Sequence, residues 1–406
     1  MSAYHKRHKQ TPKAAAPQGS RAPAGRPAAE TIPSRRLSLT PLAPLVIRSG
    51  RPFDSQPDPA RLPPPSTVAG CLRTAYADAT GRAYGPDLAE LAVTGPLLAR
   101  GDTLLLPKPA DALYLNTDAG PTLVRAAPGD FDAGCGADLP AGLLPVRLTR
   151  DLKGKPALGP AYWTWADWLA FRQGREPSYA QLQDAGWSPP PGELRTHVAI
   201  DPGRLAASEG QLFQTQGLDL GEGQTARQPA GADPFRVKGV RLLAEFAAPL
   251  GATLVHLGGE RRLAALAPAP DLWPTPPAGW WEAIQRAGGL SLTLVTPGLF
   301  GAGYRPTWLD GAGMGTLSAC PGVRLRLRAA AVERWQPHSG WDLAHQAPRA
   351  TRKLIPAGAV YWCELLDGSP EALAALWLTS LADDLQDRRD GFGLALPAAW
   401  QPIHAR

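Results

Sequence analysis

Breaks in the backbone come so often in this sequence that no long regular element can run: 45 prolines and 43 glycines are spread through 406 residues. Proline removes a backbone donor and pushes the residue before it out of the helical region, while glycine weakens both helix and strand interiors. A chain punctuated in this way reaches short elements joined by elaborate loops, which predicts an α+β protein. Its 44% hydrophobic content supplies enough apolar surface for two ordinary domains, each with its own core.

The run from Pro44 to Thr74 is the most structured passage. Leu45, Val46 and Ile47 read as a buried strand, Arg48-Ser49-Gly50-Arg51 as a turn, and Pro63-Pro64-Pro65 as an extended segment. Ser66 and Thr67 are candidate N-caps for a helix whose apolar face is Val68, Cys71, Leu72, Ala75, Tyr76 and Ala79, with Gly81 as its stop. The opposite face carries Ser66, Gly70 and Arg73.

Further on, 103–106 and 113–124 are expected strands, 163–171 a short helix, and 174–191 and 220–233 loops. Strand patterning returns at 237–246 and 252–257, followed by a helix over 280–287 that ends at Gly288-Gly289. The final third reads as a strand at 290–295, an excursion, strands at 323–328 and 360–366, an amphipathic helix over 370–385, and a strand at 393–396. That order is nearly a ferredoxin-like unit with its first helix shrunken.

The formal charge of +6 and pI near 9.2 suggest a nucleic-acid partner, but the first 36 residues hold eight Lys or Arg against Glu30 alone. That segment is +7, so the rest of the chain is about −1 and an RNA site must be argued from local clusters. The tail, rich in Pro, Ala, Gly and basic residues, lacks a core-forming pattern and is expected to be disordered. It has no continuous apolar stretch of the kind a secretory signal needs. No segment approaches the ~20 apolar residues of a membrane helix. Cys71, Cys135, Cys320 and Cys363 have no paired spacing, so neither a zinc site nor a disulfide framework is expected, and a cytoplasmic setting follows.

Several short motifs follow one another along the chain: PLVIRSGRPF from Pro44, PPPSTVAGCLR from Pro63, ELRTHVAIDP from Glu193, EGQLFQ from Glu209, LGGERR from Leu257, SGWDL from Ser339, IPAGAVYW from Ile355 and GFGLA from Gly391. Together they resemble the third-subunit family of the type III-B CRISPR Cmr effector complex, within the RAMP superfamily. The resemblance covers most of the chain after residue 36. It implies two ferredoxin-like (RRM-like) RAMP units with long loop insertions, here assigned to 37–280 and 281–406 with the boundary near 270–288. It also implies a non-catalytic RNA-binding structural subunit in antiviral defence. Such a subunit holds the 5′ tag of the CRISPR RNA and docks the large signalling subunit and neighbouring backbone RAMP subunits, with no cofactor and no membrane partner.

The candidate RNA contacts each carry a plainer alternative. Arg48 and Arg51 flank a glycine turn, and guanidinium forks suit phosphate oxygens, although turn arginines are commonly just solvated. Ser66 and Thr67 either cap the helix or offer its N-terminus to phosphate, with Arg73 on the same face. Lys238, Arg261 and Arg262 bracket Gly258-Gly259-Glu260, which is either a loop corner with an internal ion pair or a backbone contact to RNA. Arg324, Arg326 and Arg328 share one face of a strand, facing either solvent or RNA. Arg349, Arg352 and Lys353 form a dense basic run on an expected loop, and Gly391 and Gly393 form a glycine-rich turn that would let RNA approach the backbone.

Catalysis depends on the histidines, because a metal-independent RAMP nuclease needs a positioned acid or base. None lies between residues 9 and 196; His197 falls in an expected strand, and no HExxH, P-loop or GxSxG pattern is present. The rival functions are a RAMP endoribonuclease that processes CRISPR RNA and a protein-only scaffold. Finally, Tyr162, Trp163, Trp165 and Trp168 exceed what one face of a short helix can bury, which leaves a satellite core or, the expectation adopted here, an interface anchor.

Overall fold

The computed structural model describes residues 33–48, 58–221, 239–342 and 347–403. The first half is built on β1 (Ser34–Pro41), α1 (Pro65–Thr80), β2 (Val93–Arg100), β3 (Val240–Leu250) and β4 (Leu263–Pro268). These strands lie in the order β4-β1-β3-β2, extended by Thr253–His256 beyond β4 and by Thr103–Pro107 and Tyr162–Thr164 beyond β2. Every pairing is antiparallel, with Leu39 opposite both Leu242 and Leu266. Alternation along the strands gives this sheet two buried faces. Leu37, Leu39, Leu242, Ala244 and Phe246 pack with Val68, Leu72 and Ala75 of α1, whereas Leu97, Ala99 and Leu243 turn the other way.

Between β2 and β3 the chain makes its long insertions. These include the hairpin Ala112–Thr117 with Gly120–Pro128, helix α2 (Trp165–Arg172), and the long ribbon Glu193–Asp201 with Ala206–Leu218. α2 is tied down by a buried two-pronged ion pair from Arg172 to Asp111, at 2.8 and 2.9 Å.

The second half opens with α3 (Trp280–Ala287) and contains β5 (Gly289–Leu294), β6 (Arg324–Ala331), β7 (Val360–Asp367), α4 (Leu385–Asp390) and β8 (Leu394–Ala399). Its main strands run β8-β5-β7-β6, again all antiparallel. Counted from the first strand of each half, both sheets therefore have the order 4-1-3-2. In the first half the Thr253–His256 strand lies between β3 and β4; in the second, a long excursion lies between β5 and β6. Val295, Leu394 and Leu396 meet Leu97, Leu243 and Trp168, so one apolar cluster joins the halves. The molecule is thus a strand-rich mixed α/β protein of antiparallel sheets.

Several sequence expectations change. β1 begins at Ser34, and Arg36 pairs with Glu245 at 3.4 Å and Asp271 at 3.0 Å, so the end of the expected tail belongs to a sheet. Residues 1–32 lie outside the described residues. A helix, Tyr179–Ala185, interrupts the expected 174–191 loop, capped by Ser178 Oγ accepting from Gln181 N. The expected 370–385 helix ends at Ala374. There Leu378 adopts φ 53°, Thr379–Ser380 joins the sheet beside β8, and Trp377 packs edge-on against Trp165, Trp280 and Trp281.

For Trp163 and Trp168 the packing favours the satellite-core alternative over an interface anchor. Helix α2 starts only at Trp165, with Thr164 Oγ1 accepting from Asp167 N; Tyr162 and Trp163 belong to a strand, where neighbours face opposite ways. Trp163 and Trp168 have no exposed surface, and Trp165 stacks on Trp168 at 5.5 Å. The four rings are divided among three apolar clusters, with Tyr162 and Trp165 partly buried, rather than overfilling one helix face.

Candidate nucleic-acid interface

Arg48 and the Leu257–Arg262 motif, distant in sequence, meet through the backbone. Gly259 N donates to Val46 O at 2.8 Å, and Gly258, at φ +79°, lies so close that a Cβ there would meet Ile47 Cδ1 at 2.8 Å and Val46 O at 2.9 Å. Glycine is what lets this turn close onto the strand. Arg48 stands two residues beyond Val46, and Arg261 two beyond Gly259; both are exposed. The long ribbon reaches the same place, since Gly217 pairs with Val46. It contributes His197, whose Nε2 lies 2.8 Å from Thr215 Oγ1 and 3.9 Å from Glu260, and whose ring stacks on Phe213 at 5.0 Å. Arg262 pairs with Glu260 at 2.9 Å, the internal ion pair of the plainer alternative. Arg48, Arg261 and Arg262 are therefore brought together, while Arg51 and Lys238 lie outside the described residues.

A second basic surface forms in the other half. Arg352–Ile355 is a strand between Gly298–Leu299 and Gln336–His338, not a loop, and Lys353 faces Pro337 across the ladder. Arg352 sends both terminal nitrogens to Asp387 of α4, at 2.8 and 2.5 Å, yet keeps 45% of its side chain exposed. Arg349 is exposed; its amide donates to Gly340 O at 2.8 Å and its carbonyl accepts from Ser339 Oγ at 2.6 Å. The neighbouring His338 is buried. Desolvation, then the charges of Arg61, Arg352 and Arg349, push its pKa down to about 4, so the ring is neutral at pH 7 within a positive field. Beside it, a cavity of about 360 Å³ opens between the halves, walled by prolines such as Pro64, Pro107 and Pro297 and reached by Lys108 and Glu333. Burial lowers the Lys108 pKa, against the opposing pull of Glu333 at 3.7 Å.

Other expected contacts are consumed internally. Arg73 is nearly buried: Nε and Nη2 donate to Leu91 O at 3.0 and 2.9 Å, and Nη1 to Asp390 at 2.5 Å. It joins α1 to α4 and is withdrawn from the RNA set. Gly391 and Gly393 are buried as well. A Cβ on Gly391, φ +92°, would run into the backbone carbonyls of Gly95 and Val93, so this turn fits the two halves closely together. Ser66 and Thr67 do not cap: Pro64 holds the N-cap position, Pro65 has no N–H, and Thr67 and Val68 N both donate to Pro64 O. On β6, Arg328 pairs with Glu364 at 3.3 Å, while Arg324 is exposed. Among the described residues, no three His, Cys, Asp or Glu side chains converge as metal ligands, and no helix is long and apolar enough to cross a membrane.

Sequence reasoning missed Trp335, Arg61 and the acidic residues of α4. The Trp335-Gln336-Pro337-His338 run offered an aromatic beside a histidine, but only strand pairing brings it to the basic segment at 349–353.

Antiparallel sheets of like strand order form both halves, with exposed arginines at the Gly258-Gly259 turn and beside the Arg352–Ile355 strand. The chain belongs to the Cas_Cmr3 family of CRISPR-associated proteins, whose model matches residues 37–400. No curated protein matches it in sequence. Similar solved structures include a chain of the type III-B Cmr-beta complex bound to cognate target RNA, 15% identical with a TM-score of 0.43, covering 80% of this chain and 86% of that one. The same complex with target RNA and AMPPnP gives 15% identity, a TM-score of 0.44 and the same coverage. A chain of the Csm3-Csm4 subcomplex of the type III-A interference complex is 9% identical with a TM-score of 0.38, covering 90% of this chain and 99% of that one.

Proposed function

We propose that this protein is a non-catalytic, cytoplasmic, RNA-binding subunit of a type III-B CRISPR effector. It holds the 5′ tag of the CRISPR RNA and docks the large signalling subunit and neighbouring RAMP subunits. Its halves are ferredoxin-like units, a reading supported by their common 4-1-3-2 order. The observation that supports the RNA reading is the closure of the Gly258-Gly259 turn onto Val46, which brings together the backbone segments that carry the exposed Arg48 and Arg261. Exposed guanidinium groups on a fixed backbone suit phosphate oxygens in a register set by the fold.

A second reading, RNA cleavage, is favoured by one arrangement: His197 lies 3.9 Å from Glu260 beside Arg262, an imidazole and a carboxylate next to a cation. Filter binding with tagged CRISPR RNA, followed by long incubation and a gel, separates the readings. Bound, intact RNA supports the structural subunit. Cleavage that disappears in His197→Ala supports the nuclease, and absence of binding leaves a protein-only scaffold.

A further inference from the structure

Trp335 is the large aromatic side chain at the second basic surface, and 46% of it is open to solvent. It lies between β6 and the Gln336–His338 strand, and that strand's pairing with Arg352–Ile355 holds it beside the basic segment. Lys353 Nζ sits 5.4 Å from the ring centroid, a cation–π contact that steadies the indole without covering it. The immediate surroundings are cationic: Arg61 Nη1 donates to Pro337 O at 3.1 Å, Arg352 faces His338 across the ladder, and Arg349 is bonded through its backbone to Gly340. A half-exposed indole in contact with a lysine ammonium combines the two elements that single-stranded nucleic acid uses, a π-face for a base and positive charge for its backbone.

We infer that Trp335 is a base-stacking platform for one unpaired nucleotide of the bound RNA, with Lys353 and Arg349 serving the flanking phosphates. This rests on the RNA-binding reading above and adds a residue and a contact chemistry to it. Stacking is indifferent to charge, so it separates cleanly from phosphate contacts. Removing a stacked ring weakens binding without changing the salt slope, whereas removing an arginine changes both.

The test uses the full-length protein and a single-stranded RNA carrying the tag, with one abasic position moved through the strand. Trp335→Ala should weaken binding of intact RNA about fivefold to a hundredfold, the range of a lost base–aromatic stack. Trp335→Phe should retain most of the affinity, and the salt slope should stay the same. At one abasic position the wild type should lose a similar factor and Trp335→Ala should lose nothing further. Equal affinities for wild type and Trp335→Ala, or losses that multiply at every abasic position, overturn the stacking assignment while leaving RNA binding intact. Normal RNA binding combined with lost assembly into the effector would make Trp335 a protein contact and overturn it too. Failure of the wild-type protein to bind the RNA would overturn this inference and the RNA reading together.

Discussion

Arg73→Ala should destabilise the protein without weakening its hold on RNA. Arg73 retains 11% of its side-chain exposure and Asp390 5%, so the mutation strands a nearly buried carboxylate. It also removes both guanidinium donors from Leu91 O, in the link between α1 and β2. Removing one member of a buried pair costs about 3–5 kcal/mol, because the partner's charge is left without compensation. Gln386 Nε2 still donates to Asp390 at 2.8 Å, which places the expected loss near the lower end, about 3 kcal/mol. Asp390→Asn should cost less, since the amide oxygen can still accept. The two mutations together should cost less than their sum. Urea unfolding measures the loss, and titration of RNA into the folded variant measures binding. A stability change below about 0.5 kcal/mol together with weaker RNA binding would refute the buried-clamp account and return Arg73 to the RNA site.

Trp168→Ala should lower stability by about 3–5 kcal/mol, as for a large buried aromatic, while the folded fraction assembles normally with partner subunits. Melting curves beside pull-downs check it. Gly391→Ala should also be strongly destabilising, seen as a lower melting temperature, because the added methyl meets carbonyls of the other half. His338 predicts an acid-side effect. Its folded pKa, about 4, lies below the 6.5 of an ordinary histidine, so its contribution is complete above pH 6.5 and is lost as the pH falls toward 4. Replacing it with Gln should flatten stability against pH in that window, measurable by urea titrations at each pH.

Local patterns wrote much of the fold into the sequence. The Val68, Leu72 and Ala75 stripe of α1, its stop at Gly81, and the end of α3 at Gly288 all follow from helix periodicity and capping. The 4-1-3-2 order of the second half was nearly readable from its strand sequence, but the expected 370–385 helix was not realised. Its amphipathic pattern was genuine; long-range packing of Trp377 against three other tryptophans overrode it. The candidate site was legible as a set of arginines and not as a sorting of them. Arg73 and Asp390 are 317 residues apart, and Arg352 and Asp387 are 35 apart, so no local signal separates an arginine that clamps the fold from one that faces outward. Arg261 differs in that its carbonyl, 3.1 Å from His256 Nδ1, carries its contact to the fold while its side chain is exposed.

The central claim, that Arg48 and Arg261 form a phosphate-binding surface for the CRISPR RNA tag, is tested most directly by the salt dependence of RNA affinity in the Arg48→Ala/Arg261→Ala double variant. Each lost phosphate contact should lower the slope of log affinity against log salt by about 0.7 for single-stranded RNA, and affinity at low salt should fall with it. Thermal stability should hold, because both side chains are exposed. A double variant whose slope and affinity match the wild type would contradict the account.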